Sequence, residues 1–77
     1  MEGSCFYNCY NLYKVVLNSN ITSIPESTFY NCKRLKNFDF TNITTIERQA
    51  FRNTGLENII FTNNTTLGEY SLSGTEI

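Results

Sequence analysis

The sequence predicts a stacked-repeat solenoid, mainly β, with one parallel strand per repeat and short helical turns on the opposite side of each coil. Three observations predict it. The tetrapeptide Phe-Tyr-Asn-Cys occurs twice, at Phe6–Cys9 and Phe29–Cys32, and is echoed at Phe51-Arg52-Asn53-Thr54 and Leu72-Ser73-Gly74-Thr75. The starts of these segments fall 23, 22 and 21 residues apart, a period typical of proteins that copy one supersecondary unit along an axis. Aligned on that period, the apolar residues form columns.

Phe6, Phe29, Phe51 and Leu72 share the first column, and Cys9, Cys32, Thr54 and Thr75 the second. Leu12, Leu35, Leu56 and Ile77 follow, then Val15, Phe38 and Ile59, then Leu17, Phe40 and Phe61. The unit closes on Ile21, Ile43 and Asn64, and on Met1, Ile24, Ile46 and Leu67. The spacing Leu-x-x-apolar-x-apolar is identical in its three copies, whereas residues are lost before and after it. A one-residue slip inside a strand turns every later side chain to the wrong face, but a loop absorbs it. A strand is therefore expected near 12–17, 35–40 and 56–61, with alternate residues inward. Phe29 and Cys32 stand three apart, which suits one or two helical turns. Ile21-Thr22-Ser23-Ile24 and Ile43-Thr44-Thr45-Ile46 read as a second short extended piece. The chain then holds about three and a half repeats: a partial one at 1–11 and strand-centred ones near 12–34, 35–55 and 56–76. Met1 and Ile77 both occupy column positions, so a fragment of a longer array is expected.

Bulk composition narrows the function classes. The 77 residues carry six basic and seven acidic side chains and a formal charge of −1, without the basic footprint of a nucleic-acid binder. Lys33-Arg34-x-Lys36 reads as a solvated turn. No apolar run reaches the roughly 18–20 residues of a membrane span. Met1-Glu2-Gly3-Ser4 lacks the charged and apolar segments of a secretory leader. Three cysteines are too few for a disulfide framework.

The pattern apolar-x-x-Ser-x-Phe-x-x-Cys-x-x-Leu-x-x-apolar-x-apolar, closed by Ile-Thr-x-Ile, resembles the BspA-type leucine-rich repeat, found in surface proteins of bacteria and parasitic protists. The resemblance covers essentially the whole chain; Thr54 stands for Cys and Asn64 for Ile in the third copy. It implies a leucine-rich-repeat solenoid and a non-catalytic protein-binding module, part of a cell-surface or adhesion protein. The partner it implies is a host or matrix protein, or another repeat protein. The rival expectations are an intracellular scaffold in the cytoplasm and a fragment without an independent role.

The residues give little for chemistry. There is no histidine, the one side chain that titrates near neutrality unperturbed. Cys9 and Cys32 lack a base to activate them and read as small buried residues, stacked and reduced; Cys5 shares a small-residue column with Thr28, Ala50 and Ser71. Three thiols without an imidazole fall short of a structural zinc site. No enzyme is expected, and no metal or cofactor is implied.

Two sets of surface residues stand out. Asn20-Ile21-Thr22, Asn42-Ile43-Thr44, Asn63-Asn64-Thr65 and Asn64-Thr65-Thr66 fit the N-glycosylation acceptor pattern. Asn20, Asn42 and Asn63 share a column where Asn also suits a left-handed turn, and the turn role is the expected one; full occupancy of so tight a column is not expected. On the strand face, Tyr13, Lys14, Val16, Asn37, Asp39, Asn58 and Ile60 point outward and are the expected partner contacts. Glu26, Arg48 and Glu69 align, so that opposite charges meet on adjacent coils. With no polar cap at either end, the isolated chain is expected to be marginally stable or to associate end to end.

Overall fold

The computed structural model describes residues 2–61 and 64–76. Its strands are β1 (Ser23–Ile24), β2 (Thr45–Ile46) and β3 (Thr66–Leu67), joined in a parallel sheet of order β1-β2-β3. Ser23 faces Thr45, which faces Thr66; Ile24 faces Ile46, which faces Leu67. Like columns therefore stack on like, as the sequence period demands. Flanking bonds extend each rung: Thr44 and Thr66 donate their N–H groups to the carbonyls of Thr22 and Thr44 at 2.8 and 2.9 Å.

The sheet lies in the second extended piece, not near 12–17, 35–40 and 56–61, where no strand forms among the described residues. There the backbone contacts between coils are sparser: Glu57 N–H to Lys36 C=O at 3.2 Å and Glu76 N–H to Leu56 C=O at 3.0 Å. The alternation expected of those segments nevertheless holds. Val15, Leu17, Phe38, Ile59 and Phe61 are partly buried and Phe40 fully, while Val16, Asp39 and Ile60 face out. A period of two reports which side of an extended chain is dry. A ladder requires in addition that successive N–H and C=O groups of two coils meet.

The opposite side of each coil departs further from expectation. Among the described residues there is no helix. Turns closed by i→i+3 bonds follow one another instead, as in Thr28 N–H to Pro25 C=O (3.3 Å) and Cys32 N–H to Phe29 C=O (3.2 Å). In every second turn of this run the third residue has positive φ: Ser27 and Asn31 in one coil, Gln49 and Asn53 in the next, Tyr70 and Gly74 in the last, all between 57° and 76°. Ser4 and Asn8 do the same in the first coil. A positive φ at that position is the signature of a type II turn, and recurring every fourth residue it forbids a right-handed helix. The payoff is a second ladder. The N–H groups of Ser27, Phe29 and Asn31 donate to the carbonyls of Arg48, Ala50 and Arg52 at 2.8–3.0 Å, and those of Gln49, Phe51 and Asn53 to Glu69, Ser71 and Ser73 at 2.8–3.0 Å.

The core runs between the two ladders. Phe29, Cys32, Leu35, Ile46, Ala50, Phe51 and Leu56 are fully shielded. Phe6 stacks on Phe29 with ring centroids 5.5 Å apart and Phe29 on Phe51 at 5.2 Å, while Phe38 meets both Phe29 and Phe51 edge-on. Such pairs add about 0.5–1.5 kcal/mol each beyond the area they bury. Outside the core, Tyr7 stacks on Tyr30 at 4.9 Å, and Asn31 Nδ2 donates to Asn8 Oδ1 at 2.9 Å. Arg48 pairs with Glu69 at 3.3 Å; this exposed pair contributes at most about 1 kcal/mol.

Candidate interaction face

The extended segments that precede the sheet carry their outward side chains as three neighbouring rows. Lys14, Asn37 and Asn58 form one, Val16, Asp39 and Ile60 the next, and Tyr13 begins the third with Lys36 and Glu57. All are exposed, and the apolar ones conspicuously so: Val16 is 84 % exposed, Ile60 76 % and Tyr13 71 %. What anchors them is the inward set. Phe38 and Phe40 lie against Phe51 with centroids 4.9 and 5.3 Å away, so Asp39 between them must face solvent.

The surface between these rows is hollowed. A groove of about 290 Å³ runs between Lys14, Val16 and Asn18 on one coil and Asp39, Thr41 and Asn42 on the next. A second depression joins Asn37 and Asp39 to Asn58 and Ile60. Asp39 lines both, and Tyr13 borders a further hollow with Lys14, Asn37 and Asp39, so the sequence-chosen residues lie around adjoining depressions. The Thr41 hydroxyl and, at 2.9 Å, the Thr41 N–H both donate to Asp39 Oδ1. These bonds hold its carboxyl below the ordinary carboxylate range, leaving a fixed negative charge between two apolar side chains.

Cys5, Cys9 and Cys32 are all free, and among the described residues no group of three or more His, Cys, Asp or Glu could hold a metal ion. Burial pushes the Cys32 thiol up to about 11, against a bond from the Cys9 backbone that lowers it; its Sγ lies 3.2 Å from the Phe6 carbonyl. Folding thus retains the Cys32 proton. That contribution is whole below the ordinary value of 9.0 and is lost as pH rises from there through about 11. Alkylation of the folded chain at pH 8 is expected to modify exposed Cys5 and spare Cys32 until denaturant is added. Equal labelling rates for the two would show that the Cys9–Cys32 column is not dry.

Of the acceptor asparagines, Asn20, Asn42 and Asn64 are exposed; Asn63 lies outside the described residues. Asn20 and Asn42 sit in turns but lack the left-handed geometry expected of them. Neither Asn20 nor Asn42 has positive φ, whereas Asn8, Asn31 and Asn53 do, at 58–62°. The sequence signal for this second set was present in the repeated Phe-x-Asn, and in the Gly that replaces Asn in the last copy.

Coils stacked through a parallel sheet over a continuous apolar ladder, with one regular outward face, define a repeat solenoid. The chain belongs to the BspA-type leucine-rich repeat family: the family model described as "BspA type Leucine rich repeat region (6 copies)" matches residues 1–77. No curated protein and no solved structure matches the chain.

Proposed function

We propose that this chain is a non-catalytic protein-binding module of a cell-surface or adhesion protein, and that it binds through the face from Tyr13 to Ile60. Repeat modules of this family often bind proteins, which supports the class. The observation that carries the site is the row Val16-Asp39-Ile60, where apolar side chains 84 % and 76 % exposed flank a carboxylate. Scattered exposed apolar residues are ordinary; two aligned on a rigid scaffold, with a held charge between them, form a pattern a partner can read. Its chemistry is a protein surface, of a host, a matrix or another repeat protein, that sets a Lys or Arg between apolar side chains. The unit repeats about three and a half times, with strand-centred copies near 12–34, 35–55 and 56–76.

The test is binding to a panel of purified matrix and surface proteins. A Val16→Asp, Ile60→Asp double variant is expected to lose at least about tenfold in affinity, equivalent to about 1.4 kcal/mol, while its circular dichroism is unchanged. Undiminished binding by a folded variant removes the face from the proposal. Labelling of intact cells with a membrane-impermeant reagent separates surface display from the intracellular-scaffold alternative.

A further inference from the structure

Asn20 and Asn42 occupy the turns that lead into β1 and β2, and the folded chain gives them little to do. The side-chain contacts that close those turns come from their neighbours. Asn18 Oδ1 accepts the N–H of Asn20 at 2.9 Å, and Asp39 Oδ1 accepts the N–H of Thr41 at 2.9 Å. The backbone closures are Ile21 N–H to Asn18 C=O at 2.9 Å and Ile43 N–H to Phe40 C=O at 3.0 Å. Neither asparagine has the positive φ that would favour Asn over other residues, and both side chains are exposed. What does recur is the hydroxyl two residues on: Thr22 follows Asn20 and Thr44 follows Asn42, each exposed. The fold uses one of these threonines, Thr44 Oγ1 donating to the Thr22 carbonyl at 3.3 Å; the two exposed asparagines, with neither positive φ nor a side-chain bond among the described residues, point outside it.

We infer that Asn20 and Asn42 are acceptor sites for N-linked oligosaccharide. In the transfer, the side-chain amide nitrogen bonds to the anomeric carbon of an oligosaccharide carried on a lipid diphosphate. The bond from that carbon to the phosphate oxygen breaks, the lipid diphosphate leaves with the electron pair, and one amide proton is lost to base. The glycan would rise beside the groove that Asn42 lines with Val16 and Asp39, bounding the interaction face on its sheet side while leaving Tyr13, Asn37 and Asn58 open. The two stems stand on adjacent coils, about 4.7–4.9 Å apart at the strands, so one of them is expected to carry most of the sugar. This inference rests on the surface reading, since the transfer takes place in a secretory compartment.

The test is therefore independent of where the native protein resides and of what it binds. The full 77-residue chain, fused to a cleavable secretion leader, is translated with microsomes and digested with an N-glycosidase. A glycosidase-sensitive gain in mass is expected, reduced in an Asn20→Gln, Asn42→Gln double variant. The Thr22→Val, Thr44→Val variant keeps both asparagines and is expected to be reduced equally. No gain, in a chain whose added acceptor tag is itself glycosylated, overturns the inference. So does a gain of undiminished size in both double variants, which would place the sugar on Asn63 or Asn64.

Discussion

Phe29→Ala is expected to abolish cooperative folding of the isolated chain. Phe29 is fully buried, stacked between Phe6 and Phe51 and touched edge-on by Phe38. Truncating such a ring costs about 3–5 kcal/mol, the lost transfer energy plus the cavity that remains. A core of this size rarely supplies more than about 3–5 kcal/mol in all, so the substitution consumes the whole margin. Phe6 heads the same column but is only partly buried, with a stacked neighbour on one side. Phe6→Ala should therefore leave a measurable, lowered transition. Urea and thermal unfolding followed by circular dichroism provide the comparison. A Phe29→Ala chain melting within about 5 °C of the parent, where roughly 1 kcal/mol shifts a small domain by 4–8 °C, would mean that the coils do not share this column as a common interior.

The columns were legible because burial in a repeat imposes the same demand on every coil. Phe29 and Phe51 are apolar for one reason, and two copies of that reason leave an alignment. The same logic located the exposed face: Val16, Asp39 and Ile60 could be assigned outward from the inward Val15, Phe38, Phe40 and Ile59. Hydrogen bonding left a fainter trace. Whether 35–40 or 43–46 forms the ladder depends on how closely two backbones approach, and backbones are nearly the same at both places. Side chains report dryness, so the more strongly apolar segment attracted the strand assignment while the Ile-Thr-x-Ile segment formed it. The turns were misjudged for a related reason. Phe29 and Cys32 stand three apart in a helix and also across a four-residue turn, and only φ distinguishes the two. The informative residue was the one between them, Asn31, whose recurrence at Asn8 and Asn53 and replacement by Gly74 match a column at φ 58–76°.

That column yields a sharp comparison. Asn31 sits at φ 62°, donates its N–H to the Arg52 carbonyl at 2.9 Å, and donates from Nδ2 to Asn8 Oδ1 at 2.9 Å. Left-handed geometry costs an ordinary L-residue about 1–2 kcal/mol, and a β-branched side chain is an outlier there. Losing the exposed amide bond adds about 0.5–1.5 kcal/mol. Asn31→Val is therefore expected to destabilise the chain by about 2–3 kcal/mol, second only to loss of the central ring. Asn31→Gly forfeits the same side-chain bond but accepts the dihedral freely, at the expense of a more disordered unfolded chain, so its loss should stay near 1 kcal/mol. The control is Asn20→Val. Asn20 is exposed and lacks positive φ, and a surface substitution of that kind falls within about 0.5 kcal/mol. Urea midpoints for the three variants should rank in that order, Asn31→Val lowest. If Asn31→Val and Asn31→Gly unfold together, the amide bond rather than the backbone angle is what the column preserves. If Asn20→Val unfolds with them, the turn entering β1 needs its asparagine after all, and the surplus that points to a glycan disappears.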